Sequence, residues 1–136
     1  MKLSTRGRYA MIALVDLVIN GNDRLVTLVE ISERQLISLA YLEQLFLKLR
    51  KAKIVLSVRG PNGGYKLANV PEKIRISEIL SAVDEGMNAL SHGAGASETN
   101  VESQAYQLTD KLWEQLSANV YVFLHQTRLS DILFEQ

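Results

Sequence analysis

Ser38-Leu39-Ala40-Tyr41-Leu42-Glu43-Gln44-Leu45-Phe46-Leu47-Lys48-Leu49-Arg50-Lys51, and two residues later Ile54-Val55-Leu56-Ser57-Val58-Arg59-Gly60-Pro61-Asn62-Gly63-Gly64-Tyr65-Lys66-Leu67-Ala68, are the stretches that decide the fold. In the first, Leu39, Leu42, Leu45, Phe46 and Leu49 fall on one stripe of a helix that faces a core. Tyr41, Gln44, Lys48 and Lys51 fall on the opposite side, and Ser38 is a good N-cap. The second stretch is a strand from Ile54 to Val58, a tight Arg59–Gly64 turn and a returning strand, hence a β-hairpin. A hairpin directly after such a helix has the outline of a wing.

The chemistry of these two pieces points to duplex DNA. Gln44 can pair with an adenine edge, Glu43 can accept from cytosine N4, and Lys48 and Lys51 suit phosphates. Gly60, Gly63 and Gly64, with Pro61, let the hairpin tip approach a sugar–phosphate backbone, and Arg59 at its shoulder can enter a minor groove. Taken alone, the helix face is equally consistent with ordinary solvated surface, and the hairpin tips the balance. Asn62-Gly63-Gly64 is no nucleotide-binding loop, because no Lys-Ser/Thr follows and no helix opens there.

Upstream, Gly7 to Asn20 reads as a first helix, apolar on nearly every side and therefore buried, stopped by Asn20-Gly21-Asn22-Asp23. Leu25-Val26 suggests a short extended piece. Thr27-x-x-Glu30 has capping-box spacing and opens a second helix to Gln35, with Leu28 and Ile31 inward. Leu36-Ile37 is its short link to Ser38, giving a helix-turn-helix.

Downstream, Ser77 to Val83 is helical and Gly86–Val101 is a loop rich in Gly, Ala, Ser and Asn. Ser103 to Gln126 reads as one helix about 36 Å long at 1.5 Å per residue. Leu108, Leu112, Leu116, Val120 and Phe123 form its apolar stripe, widened by Trp113, Tyr121, Val122 and Leu124. A two-fold partner is the natural cover for so much apolar surface; the alternative is that the helix packs back on its own domain. Thr127 is expected to cap a short last helix with Leu129, Ile132 and Leu133 inward, and His125 to lie against the long helix's C-terminal dipole.

The expected fold is therefore mostly α with a small β-hairpin. Residues 1–76 form a winged helix-turn-helix DNA-binding domain, 77–102 a connecting helix and sensor-type loop, and 103–136 a dimerisation helix with a short C-terminal helix.

A net charge of zero conceals an asymmetry. Residues 1–75 hold 13 Lys/Arg against 6 Asp/Glu, whereas residues 76–136 hold 2 against 9. A basic half facing a polyanion is the physical reading. The apolar run Ala10–Ile19 is too short for a membrane span and contains Asp16, so a cytoplasmic protein is expected. There is no cysteine, no Ser-His-Asp spacing and no His-x-x-x-His pair, which argues against an enzyme. The competing reading is a winged-helix module for protein–protein contact that does not bind DNA.

Four groups of residues carry a family resemblance. These are Leu3-Ser4-x-x-Gly7-Arg8-Tyr9-Ala10, Ile31-Ser32-Glu33-Arg34-Gln35, Ser38-x-x-Tyr41-Leu42-Glu43-Gln44-Leu45-Phe46 and Val58-Arg59-Gly60-Pro61-x-Gly63-Gly64-Tyr65. With Glu78-Ile79-x-Ser81-Ala82-Val83-Asp84-Glu85, Leu112-Trp113 and Leu129-Ser130-Asp131, the chain resembles IscR-like iron–sulfur-cluster regulators of the Rrf-type family over nearly its whole length. The resemblance implies a homodimer with two winged helix-turn-helix units on a palindromic operator, repressing iron–sulfur cluster assembly or related genes. It implies that Ser38, Tyr41, Glu43 and Gln44 face the major groove, with Lys48 beside them as a DNA contact read from the helix face. Arg59, Gly60 and Gly63 belong to the wing contact, and Glu43 is the position that discriminates operator classes. Ala40 stands where the family has a hydroxyl.

The resemblance also implies a 2Fe–2S cluster held by three cysteines and a histidine before the long helix. Here the cysteines are missing; His92 stands near the first ligand position and Asp110 where the histidine is expected. Three readings stay open: regulation without a cluster, unusual ligands such as His92, Glu98 and Glu102, or cysteines substituted away or lying beyond Gln136.

Overall fold

The structure, a computed structural model, describes residues 4–84 and 103–133. The loop at 86–101 and the ligand candidates His92, Glu98 and Glu102 lie outside the described residues.

Helix α1 (Thr5–Asn20) starts at Ser4, whose hydroxyl oxygen accepts from the Gly7 amide at 3.1 Å. The same hydroxyl donates to the Asp84 carboxylate at 2.6–2.7 Å, joining the start of α1 to the end of α4 (Ile76–Asp84). Gly7 is the contact point between the two helices: a Cβ there would lie 3.0 Å from Leu80 Cδ2 and 3.2 Å from Asp84 Oδ2. Ala10, Ala13, Leu14 and Leu17 are buried, but Ile12 and Ile19 are exposed, Ile19 by 62%. The expectation of a helix buried all round is corrected accordingly. A run of apolar residues shows no polar stripe, yet only the sides touching α2, α3, α4 and the hairpin are covered.

Helix α2 (Leu28–Gln35) opens with the expected capping box. Thr27 Oγ1 accepts from the Glu30 amide at 3.2 Å, and the Glu30 carboxylate accepts from the Thr27 amide at 2.8 Å. The helix ends at Leu36, which adopts the left-handed conformation (φ 57°, ψ 44°) and leaves its side chain 91% exposed. Ile37 turns back into the core, and Ser38 caps α3 (Leu39–Lys51) by accepting from the Tyr41 amide at 3.2 Å. Leu42, Leu45, Phe46 and Leu49 are buried, each worth about 1.5–3 kcal/mol by removal from water. Leu39 departs from the expected stripe at 38% exposure, because the first turn of α3 runs beyond the edge of the core.

Strands β1 (Val55–Val58) and β2 (Gly64–Leu67) pair antiparallel with Val55 opposite Leu67 and Val58 opposite Gly64. Val26, in the short extended piece before α2, exchanges both backbone hydrogen bonds with Tyr65 at 3.1 and 2.7 Å. Gly64 is required here, since a Cβ would meet Val26 O at 2.8 Å. Phe46 and Tyr65 meet edge to face at 5.0 Å, fixing the hairpin to α3.

A 3-10 turn (Pro71–Lys73) leads to α4, and α5 (Gln104–Gln126) starts at Ser103, which accepts from the Tyr106 amide. Only Leu124 of α5 is buried among the described residues. Thr127 does not cap α6 (Leu129–Leu133) as expected. It closes α5 instead, its hydroxyl donating to Phe123 O at 2.6 Å, while the Asp131 carboxylate accepts from the Arg128 amide at the start of α6. Leu129 is buried, whereas Ile132 is exposed, because α6 lies with one side open to the groove beside α1. No described helix is long and apolar enough to cross a membrane.

Candidate nucleic-acid interface

The outward side of α3 and the wing enclose a cleft of about 480 Å³ lined by Ala40, Glu43, Gln44, Leu47, Arg50 and Tyr65. Glu43 and Gln44 are exposed and sit next to each other, so one acceptor and one bifunctional amide face the same space. Ser38 is exposed too; its oxygen is engaged in capping, and its O–H remains a donor. Tyr41 is half-buried, with its ring edge-on to Tyr9 of α1 at 5.7 Å and 85°. Lys48 is half-buried on the flank of α3 rather than at its crest.

Sequence reasoning passed over Arg50, which lines the cleft with Glu43 and Gln44. Its separation of six and seven residues from those two, close to two helical turns, was the available signal. Lys48, Arg50, Lys51 and Arg59 make this side of the molecule cationic.

The wing glycines divide their work. Gly60 has φ +119° and nothing within 4 Å of a Cβ position, so the tip is bare backbone with open space before it. Gly63 closes the turn: its amide donates to Gly60 O at 2.9 Å, and a Cβ would collide with Val58 O. Arg59 is exposed beside Gly60 at the wing shoulder.

The turn between α2 and α3 is held from behind by Asp16. Its side chain is fully buried and accepts from Arg34 Nε (3.0 Å), Arg34 Nη2 (2.7 Å) and Gln35 Nε2 (2.7 Å). Burial pushes the Asp16 carboxyl up, but hydrogen bonds from Arg34 and Gln35 and the Arg34 charge outweigh it, leaving it below its ordinary value. The Asp16 hydrogen bond likewise raises Arg34. Glu30 is lowered, chiefly by the Thr27 amide of the capping box. These contacts fix α2 on α1 and so fix the direction in which α3 leaves the turn.

Far from this face, Leu108, Leu112, Leu116 and Phe123 of α5 are exposed, Leu112 by 53%, while Val120 is partly buried against the core. A groove of about 880 Å³ runs between α1 and the α5–α6 corner, with Met11, Ile12, Ile19, Phe123 and Ile132 among its lining and Arg8 at hand. His125 lies at the C-terminal end of α5, stacked on Tyr121 at 5.5 Å, with Nδ1 3.2 Å from the buried Ser77 hydroxyl.

A helix-turn-helix locked to a two-stranded wing, with a cationic face and a long trailing helix, is the build of a DNA-binding transcriptional regulator of the winged-helix class. Residues 3–135 match the family model Rrf2, described as iron-dependent transcriptional regulator, and the chain belongs to that family. It is 64% identical to the HTH-type transcriptional regulator IscR of Cereibacter sphaeroides, over 98% of this chain and 87% of that protein. It is 43% identical to IscR of Aliivibrio salmonicida, over 99% and 79%. Among solved structures, T. potens IscR superposes with a TM-score of 0.75 at 34% identity, covering 98% of this chain and 86% of that one. The oxidized form of Staphylococcus aureus CymR superposes with a TM-score of 0.80 at 29% identity, covering 100% and 98%.

An iron–sulfur cluster needs anionic sulfur donors, and these 136 residues contain no cysteine. Among the described residues no three His, Asp or Glu side chains gather as a metal-holding group. Asp110, on the outward run of α5, is partly buried and joins no such group. The donor set does not fit a thiolate-held cluster.

Proposed function

We propose that the protein binds a palindromic operator as a homodimer in the cytoplasm, laying α3 in the major groove and the wing in the adjacent minor groove. Residues 1–76 act as the DNA-binding domain, 77–102 as the connection, and 103–136 as the dimerisation segment. Ser38, Tyr41, Glu43, Gln44 and Lys48 serve the major groove, with Glu43 and Gln44 reading base edges. Arg59 enters the minor groove, Gly60 lets the wing backbone close on the sugar–phosphate chain, and Gly63 keeps the turn tight.

The observation that carries this reading is the cleft between α3 and the wing, where Glu43, Gln44 and Arg50 converge on a space open to solvent. The dimer is supported by α5, whose stripe of Leu108, Leu112, Leu116 and Phe123 is exposed among the described residues.

The test is the salt dependence of binding to a palindromic duplex selected from a randomised pool. Lys48, Arg50 and Lys51, doubled by the dimer, correspond to a slope of log K against log salt of about −5. Binding should fall by about three orders of magnitude between 50 and 200 mM salt. A flat profile, or no enrichment of duplex at all, would instead favour a winged-helix module for protein contact.

A further inference from the structure

The wing side of the molecule and the C-terminal end of α5 are stitched together by a short antiparallel bridge. The Ile76 amide donates to Thr127 O at 3.0 Å, and the Leu129 amide donates to Ile74 O at 2.8 Å, flanking the pair Arg75 and Arg128. The first contact satisfies an orphan amide at the start of α4 with a carbonyl just past the end of α5. The two arginines at the centre then reach in opposite directions. Arg75 Nη1 donates to His125 O, a terminal carbonyl of α5, at 2.5 Å. Arg128 Nη1 donates to Glu72 O, in the 3-10 turn that follows the wing, at 3.0 Å. Ser77 adds a hydrogen-bond contact to His125 Nδ1 at 3.2 Å.

The hold on α5 lies in its C-terminal half, where Leu124 is buried and Val120 packs against the core beside α4, while Leu108 and Leu112 of its N-terminal half are exposed. The helix is a lever of about 34 Å pivoting on its C-terminal end. A tilt of about 10° at the pivot moves the far end by about 6 Å, close to the rise of two base pairs.

We propose that Arg75 and Arg128 are positioning residues that set the spacing and phase of operator half-sites the protein accepts. They do so by fixing the angle between the dimerisation helix and its own winged domain. The proposal rests on the dimeric DNA-binding reading above. Each arginine crosses from one unit to the backbone of the other, bracing the angle that the two main-chain hydrogen bonds alone would leave to hinge. A side chain bonding a backbone carbonyl also does so whatever its neighbours in sequence, which suits a geometric rather than a base-reading role.

The experiment compares wild type with the Arg75→Ala/Arg128→Ala double variant on three duplexes. These are the palindrome selected by wild type, the same palindrome with two base pairs inserted at its centre, and a duplex holding a single half-site. The insertion turns one half-site by about 70° relative to the other and moves it about 7 Å away. Wild type should prefer the original spacing by about 30-fold or more. The double variant should narrow that ratio to within about threefold, while remaining dimeric by light scattering and keeping half-site affinity within about twofold. A variant that retains the wild-type spacing ratio overturns the proposal, as does one whose half-site affinity falls in parallel, which would make the arginines phosphate contacts. If the double variant does not fold, hydrogen exchange of the wild type decides. Protection of the Ile76 and Leu129 amides that rises on operator binding supports the junction, and exchange as fast as at frayed helix ends refutes it. Failure of wild type itself to dimerise or to select a palindrome would strike the underlying reading instead, and is recognisable as such before any variant is made.

Discussion

Removing either end of the Asp16–Arg34 pair should not cost the same. The Asp16 side chain is 0% exposed and Arg34 is 32% exposed, although the two share two hydrogen bonds of 2.7 and 3.0 Å. Asp16→Ala frees a guanidinium that can swing to water or strengthen its 3.9 Å approach to Glu30. It loses hydrogen bonds to a charged group but strands nothing, a cost of about 2 kcal/mol. Arg34→Ala leaves a carboxylate buried with Gln35 as its remaining side-chain donor from α2, and stranding one member of a buried pair costs about 3–5 kcal/mol. At about 3–5 °C per kcal/mol for a chain of this size, the expected drops in Tm are about 8 °C for Asp16→Ala and about 15 °C for Arg34→Ala. The assay is chemical and thermal denaturation of both single variants and the double variant at pH 7. The double variant should resemble Asp16→Ala, since deleting the acid removes the penalty created by deleting the base. The pH dependence carries the same signature. The folded Asp16 carboxyl lies below its ordinary value of 3.8, so its contribution is complete above about pH 4 and is lost as pH falls through the lower folded value. The deficit of Asp16→Ala should therefore shrink on acidification. Equal costs for the two single variants, or a deficit unchanged at low pH, would refute the account.

Three further outcomes are expected. Arg59→Ala should weaken operator binding about tenfold or more and relax preference at one minor-groove position, read by competition against single-base operator variants; equal loss on random duplex would make Arg59 a phosphate contact. Leu112→Glu with Leu116→Glu should give monomers in light scattering, and a surviving dimer would disprove the α5 interface. Thr27→Ala removes the hydroxyl half of the α2 capping box and should cost about 1 kcal/mol in denaturant unfolding, with an unchanged midpoint counting against the capping geometry.

What could be read from the residues follows from how local each signal is. The capping box at Thr27 and Glu30 and the cap at Ser38 involve atoms three residues apart, and the structure has both. The hairpin is nearly as local, because Gly63 and Gly64 act on a turn of a few residues. Leu39 was misplaced because helical periodicity says which residues share a side, not how far along the helix the core extends. In the sequence Asp16 is only a break in an apolar run. Its partners Arg34 and Gln35 lie eighteen and nineteen residues away, and only the tertiary fold brings them to it. Thr127 was assigned to the following helix because a threonine before an apolar run looks like an N-cap; the carboxylate of Asp131, three residues past Arg128, took that role. On the outward side of α3, spacing places both Lys48 and Arg50 near Glu43 and Gln44, and only the packed fold shows that Lys48 is half-buried and Arg50 exposed.

The hydrogen bond from Ser4 to Asp84 has a consequence for the order in which the chain is made. Both of its ends, and everything between them, leave the ribosome before α5 does. At about 5–20 residues per second, the stretch from Asp84 to the end of α5 at Gln126 takes roughly two to eight seconds to synthesise. During that interval α1 to α4 can close on themselves, with α5 contributing little to their core beyond Leu124. A winged unit already closed in this way keeps the exposed leucine stripe of α5 from competing with the leucines of α3 for the same interior.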